Sequence, residues 1–298
     1  MRTIVPLLFS GAVVALASSA TAQEIDWQKV DDAFGRKGTV AGDVHRYGFP
    51  RSDLQVTVDG LSIKPGFALG GWIAFKPVQG GAMAMGDLVL VETEINPVMS
   101  KLIEGGMEIT AVHNHLLRAN PAIFYMHVGG HGDAAKMAGA IRAALTASKT
   151  PLQAGVPSAA MPPPTIDFDT AQVEQIIGAK GQDNNGIYQF AVPRRDPISE
   201  HGAQLVPPGP TGVATAINFQ STGGGKAAIT GDFVLIAEEV NPVIKALRAH
   251  GIEVTAIHSH MLSEQPRLIF MHFWANDDAV KLAKGLRQAL DKTASAKS

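Results

Sequence analysis

The feature that most constrains this chain is an internal repeat. Gly86–Leu145 aligns without a gap on Gly231–Leu290 at a constant offset of 145, and 26 of the 60 aligned pairs are identical. Self-similarity of this kind marks one structural unit present twice, so the chain must fold as two copies of one domain, each with its own core. The earlier parts align more loosely, with Pro50-Arg51-Ser52-Asp53 answering Pro193-Arg194-Arg195-Asp196. Residues 148–167, a mixture of small, polar and proline residues, read as a linker between a first repeat at 23–147 and a second at 168–298. Residues 1–22 have a basic start, an apolar middle and the small-residue exit Ala20-Thr21-Ala22, the pattern of a secretory signal. The expectation is an exported protein, periplasmic or secreted, with no integral membrane segment after cleavage, because no later apolar run is long enough to span.

Within each repeat the pattern of residues gives the elements. Leu88–Glu94 and Phe233–Glu239 are β-rich, and Asn96-Pro97 and Asn241-Pro242 read as the N-cap and first-position proline of a short helix ending near Gly106 or Gly251. Glu108–Leu117 and Glu253–Leu262 alternate as strands. A turn at Asn120-Pro121 or Gln265-Pro266 then brings Ile123–Val128 or Leu268–Phe273 back as the second arm of a hairpin. Asp133–Ala147 and Asp277–Lys292 are amphipathic helices opened by capping aspartates. Gly71–Lys76 and Val213–Phe219 should join the same sheet, and Gly223-Gly224-Gly225-Lys226, which lacks P-loop spacing, reads as a hairpin turn. The class is α+β: two tandem repeats of one domain, each an antiparallel or mixed sheet with helices packed on one face.

The duplication also filters for function, because residues kept by both copies can be seen directly. His131 and His250 have no counterpart, whereas His113/His258, His115/His260 and His127/His272 do. Alternate residues of a strand share a face, so each His-x-His presents two imidazoles side by side. A three-residue turn would set His272 across from His258, a shift of two would set it across from His260, and a slip of one would turn it to the other face. Glu94 and Glu239 are the shared carboxylates chosen to complete each set, while Asp87 and Asp232, each after a glycine, read as turn residues. Three imidazoles and a carboxylate in each repeat suit Zn, Mn, Fe, Cu or Ni, with zinc as the default divalent transition metal.

Composition narrows the chemistry further. There is no cysteine, which excludes disulfides, thiolate metal sites and a lipid anchor on an N-terminal cysteine. Lys+Arg number 25 against 27 Asp+Glu, a balance without the basic excess that nucleic-acid binding needs. No serine or lysine near the histidines occurs in both copies, so covalent catalysis is disfavoured and a metal-water mechanism, hydrolytic or redox, remains. The competing account is a non-catalytic binding module in which Arg51, Arg194 and the histidines line a pocket for a small anion or a cell-wall-derived ligand. Arg51 and Arg194 tied to the aspartates two residues on would instead be structural. A third account buries the histidines, neutral, between the lobes.

The repeated Gly-Asp-x-Val-Leu, Glu-x-Asn-Pro-Val and Thr-Ala-[VI]-His-x-His, each followed by Met-His, together resemble the LppY/LpqO family, named after mycobacterial lipoproteins and long treated as a domain of unknown function. The resemblance runs over nearly the whole mature chain in two copies, and implies export and a repeated architecture. It carries no established catalytic residues. The lipoprotein members need a cysteine for lipid attachment, and its absence here implies a free rather than a tethered protein.

Overall fold

The computed structural model describes residues 24–153 and 165–296. The secretory signal expected at 1–22 and the middle of the expected linker lie outside the described residues. The first lobe contains α1 (Trp27–Phe34), β1 (Thr39–Ala41), β2 (Val44–Pro50), β3 (Val56–Val58), β4 (Leu61–Ile63), α2 (Pro65–Ala68), β5 (Gly70–Val78), β6 (Gly81–Val91), α3 (Glu92–Glu104), β7 (Glu108–His113), β8 (Ala119–Asn120), β9 (Ile123–Gly132) and α4 (Ala134–Leu145). The second contains α5 (Thr170–Ile177), β10 (Gln182–Asn184), β11 (Ile187–Pro193), β12 (Ser199–Glu200), β13 (Ala203–Gln204), β14 (Ala214–Gly223), β15 (Lys226–Leu235), α6 (Ala237–Ala249), β16 (Glu253–His258), β17 (Ile269–Asp278) and α7 (Ala279–Leu290).

Each lobe is built on a six-stranded antiparallel sheet, in the order β1-β2-β5-β6-β9-β7 and β10-β11-β14-β15-β17-β16. Alternation along the strands decides what each face meets. Leu88, Leu90, Met126 and Val128 pack with α1, α3 and α4 in one core, and Phe233, Leu235, Met271 and Phe273 pack with α5, α6 and α7 in the other. The opposite faces are covered by the other lobe. Val89 and Tyr125 join Ile187 and Trp274 in one cluster, while Met83 and Met85 join Val234 and Phe270 in a second. Two sheets therefore face each other with helices outside, and what lies between them belongs to both repeats.

Helix ends follow from local capping. Asp133 and Asp278 accept the N–H groups of Lys136 and Lys281, so the second cap is Asp278, at the repeat offset from Asp133, rather than Asp277. The helices after β6 and β15 begin at Glu92 and Ala237, several residues before the Asn-Pro pairs expected to open them. Glu94 and Glu239 turn back to accept the N–H of Val91 and Ile236, at 3.0 Å each, and this cap replaces the one expected from asparagine. Gly224-Gly225 forms the tight turn between β14 and β15, as its glycines predict. No helix among the described residues is long and apolar enough to cross a membrane.

Candidate metal centre

Six histidines meet where the sheets face each other, and they form one cluster rather than one per repeat. The rings of His113 and His258 stack with centroids 3.5 Å apart. His115 lies 3.7 Å from His272 and His127 lies 3.9 Å from His260, so each off-axis pair joins one histidine from each lobe. Distances within the lobes match as well: His113 to His127 is 5.0 Å and His258 to His272 is 4.7 Å. This is a pseudo-twofold arrangement with His113 and His258 flanking the axis, as expected when a duplicated chain keeps the geometry of a symmetric pair.

Local structure explains how the side chains arrive. β7 and β16 each carry a bulge, with Thr110 and Thr255 as the extra residues, which restores Ala111, His113, Ala256 and His258 to the inner face. His127 and His272 stand opposite Ala111 and Ala256, so the shared face expected of them holds. The expected register, with His272 across from His258 or His260, does not hold. The strands end at His113 and His258, and residues 259–268 form a long connection in place of a three-residue turn. His115 and His260 are therefore loop residues. Thr110 Oγ1 donates to the carbonyl of His260 at 2.5 Å and Thr255 Oγ1 to that of His115 at 2.6 Å, so each loop is held by the opposite lobe. Their rings stack on Tyr125 and Phe270 at 3.2 and 3.4 Å.

The carboxylates of the centre are Asp87 and Asp232. They sit mid-strand, paired in register with His127 and His272, and are not turn residues. Asp87 lies 3.5 Å from His115 and 4.0 Å from His127; Asp232 lies 2.9 Å from His260 and 3.9 Å from His272. The preceding glycines permit close strand approach, since a Cβ on Gly231 would meet the Ala216 carbonyl oxygen at 2.0 Å and one on Gly86 the Trp72 carbonyl oxygen at 2.5 Å. The repeat signal that found the histidines covers these aspartates equally, and the reading of aspartate after glycine as a turn concealed them.

Polar bookkeeping at this cluster is unusual. Nε2 of all six histidines and Oδ1 of both aspartates are buried without a hydrogen-bond partner; His260 Nε2 approaches Asp232 but lacks the alignment of a hydrogen bond. Leaving such an atom unsatisfied costs roughly 1–3 kcal/mol, so eight together rival the ~5–15 kcal/mol that holds a domain folded. The tautomers point the same way. His113, His258 and His272 place Nδ1 against the carbonyls of Asn114, Ser259 and Gly231, at 3.3, 3.3 and 2.7 Å. A carbonyl only accepts, so Nδ1 carries the proton and Nε2 offers its lone pair, the arrangement of a metal-ligating imidazole. Burial holds the rings neutral, pushing His113 down to about 4 and His260 and His272 to about 3, with His115 and His127 also well below their ordinary value. Burial, reinforced by the charge of Asp232, raises the carboxyl of Asp87. Ligand atoms within 4.8 Å of one another group as Asp87-His115-His127, Asp232-His258-His260, His113-His127-His258 and His113-His115-His272.

Glu94 and Glu239, expected to complete the sites, lie elsewhere. Glu94 receives Arg51 at 2.7 and 3.2 Å together with the N–H groups of Val91 and Lys149, which occupies both oxygens; Glu239 is held likewise by Arg194, Ile236 and Ala294. Arg51 and Arg194 are buried; the remaining donors of Arg51 go to Asp53 and Val89, and Arg194 gives Nη1 to Val234 and Nη2 to Asp196, its Nε alone being buried without a partner. They are ion-paired struts between sheet and helix, and neither reaches a ligand pocket. A cavity of about 670 Å³ between the lobes ends at the centre, where Asp87, Asp232, His115, His127, His260 and His272 line it and the axial His113 and His258 do not.

No curated protein matches the chain. Two solved shell-protein structures align over 85% of this chain and 90% of their own: the trimeric bacterial microcompartment shell protein PduB at 14% identity and TM-score 0.19, and EtuB from Clostridium kluyveri at 9% and 0.18. A family model matches twice, over residues 28–147 and 171–292, and together these segments span most of the sequence. The chain belongs to the family described as Domain of Unknown Function (DUF1259), and carries that domain in two tandem copies.

Proposed function

We propose that this chain is a transition-metal protein whose one centre, built jointly by the two lobes, holds two ions. The observation that carries this is the convergence of six unpartnered, neutral Nε2 atoms and two unpartnered aspartate oxygens at a buried pseudo-twofold axis. Asp87-His115-His127 and Asp232-His258-His260 share no residue, so the cluster has ligands for two ions, with His113 and His272 to spare. An all-nitrogen and oxygen set suits zinc first, and also Mn, Fe, Cu or Ni. Such ions act as Lewis acids and activate bound water for hydrolysis or, if redox-active, take part in electron transfer. The axial histidines fix the two halves against each other, while the side chains that line the cavity face whatever enters. The residue pattern at 1–22 and the shared motifs support an exported, LppY/LpqO-like protein, which sequencing the N-terminus of the protein recovered from the host's extracytoplasmic fraction would test.

The decisive measurement is elemental analysis of protein purified without a histidine tag, beside a His115→Ala/His260→Ala variant, which removes one ligand from each set. Close to two ions per chain, lost in the variant, is the expected result. Wild-type protein that is metal-free and takes up none of Zn, Cu, Mn, Fe or Ni on titration sinks the proposal.

A further inference from the structure

The six histidines and two aspartates of the centre obey the pseudo-twofold axis as a set, but the walls of the cavity above them do not. Arg51 matches Arg194 at an offset of 143, and the same spacing sets Arg46 on β2 against Gln189 on β11; both line the cavity. Trp72 pairs with Asp87 across the sheet as Ala216 pairs with Asp232, so tryptophan on one wall answers alanine on the other. Arg46 lies over the Trp72 ring, 3.7 Å from its centroid, and gives one donor, Nη1, to the Pro210 carbonyl at 2.7 Å. Among the described residues no carboxylate lies within 4.0 Å of its guanidinium, in contrast to Arg51, Arg118 and Arg194.

We infer that the cavity takes a small molecule with one oxyanion headgroup, a carboxylate or phosphate, seated on Arg46 against Trp72 with its other end toward the histidine-aspartate centre. A guanidinium spread on an aromatic face is weakly hydrated and fixed in plane, with a fork of donors that matches an oxyanion. Gln189 on the facing wall cannot supply that charge, and Lys180, the other cation that lines the cavity, is ion-paired to Glu174 at 2.8 Å, so the ligand has one orientation although the centre below it is symmetric. The inference rests on the metal reading: ions at the floor cancel the charges of Asp87 and Asp232, which would otherwise oppose an anion.

Calorimetric titration of zinc-loaded protein with phenylacetate and, separately, with phenyl phosphate tests this, using wild type, Arg46→Gln and Gln189→Arg, with zinc content measured on each sample. Arg46→Gln should keep its zinc and bind the preferred anion about tenfold or more weaker, the loss expected for one charged hydrogen-bonding group. Gln189→Arg should bind it tighter, and whichever probe binds separates carboxylate from phosphate as the headgroup. Zinc-loaded protein whose anion binding is indifferent to Arg46, or which binds neither probe, overturns the inference. A wild type that holds no zinc is instead the failure of the metal reading, and is recognised by zinc content alone.

Discussion

Each lobe buries two sets of polar and charged groups, one joining the sheet to a helix and one on the sheet face that meets the other lobe, and the two sets are satisfied in opposite ways. In the Arg51-Asp53-Glu94 strut, and in its copy Arg194-Asp196-Glu239, both glutamate oxygens are engaged and the guanidinium spans carboxylates and a strand carbonyl. In the histidine-aspartate cluster, eight buried atoms converge without partners. Both sets were kept through the duplication, so retention alone does not separate structure from chemistry. Satisfaction does: a buried polar group whose partners are all within the chain is fastening it, and one whose lone pairs converge unpaired is shaped around something else.

The sharpest way to break this comparison is to cut the strut. Glu94→Ala strands a buried arginine, removes the cap of α3 and releases Lys149, and loss of one partner of a buried pair costs about 3–5 kcal/mol. The Glu94→Ala/Glu239→Ala variant alters both lobes, so losses should nearly add to roughly 6–10 kcal/mol, comparable to the whole stability of a domain. Urea unfolding followed by circular dichroism should find it largely unfolded at 25 °C. His113→Leu/His258→Leu in metal-free protein should leave stability unchanged or raised, because it replaces unsatisfied atoms with apolar ones. If the glutamate variant stays folded, or the leucine variant collapses, the assignment of the two clusters is reversed.

Acid should expose the difference next. The unfolded chain binds a proton at each histidine near pH 6.5, whereas the buried rings resist protonation until about pH 4 at His113 and about pH 3 at His260 and His272. Their folded values lie below the unfolded ones, so the unfolded state binds more protons and metal-free protein loses stability as pH falls from about 6.5 toward 4. Each such ring removes up to ~1.4 kcal/mol per pH unit. The raised carboxyls of Asp87 and Asp232 act in the opposite direction, but they are two against six. A melting temperature of the chelator-treated protein that falls by several degrees from pH 7 to pH 5 is the expected outcome, and the His113→Leu/His258→Leu variant should show a shallower fall. A flat profile would mean the rings are protonated or solvated, contrary to the cluster described.

Much of the fold was legible because the repeat made it so. Two domains and the cap at Asp133 follow from offset, period and residue type, whereas the face on which His127 meets His113 depends on a connection whose length the sequence leaves open. What escaped was non-local. A bulge at Thr110 adds one residue that periodicity cannot register, and the connection after His113 is set by contacts with β3 and the other lobe rather than by its own turn residues. Glu94 was a reasonable choice of ligand from the repeat alone, but a glutamate three residues into a helix also caps it, and only the position of Arg51 decides between these roles. Nothing within one repeat reveals that its second sheet face docks on the other copy, which is why one shared centre read as two. Arg46 was invisible for the complementary reason: the filter that retains shared residues discards every position where the copies have specialised.

The smallest effect on stability probes the joint between the lobes. Thr110 and Thr255 each send a hydroxyl across to the loop of the other repeat, and a hydrogen bond of this kind contributes about 0.5–1.5 kcal/mol. Valine keeps the shape of threonine, so Thr110→Val/Thr255→Val should lower unfolding free energy by only about 2 kcal/mol in denaturant titration. Its effect on zinc should be larger in proportion. The two carbonyls belong to His115 and His260, loop residues that no strand fixes, and loss of a group that orients a ligand typically costs about 10–100-fold in metal affinity. Competition with a chromogenic chelator measures this directly. Zinc affinity that falls tenfold or more while the fold holds means that each lobe places a ligand for its twin. Unchanged affinity means that stacking on Tyr125 and Phe270 suffices to hold the rings, and the cross-lobe bonds serve the fold alone.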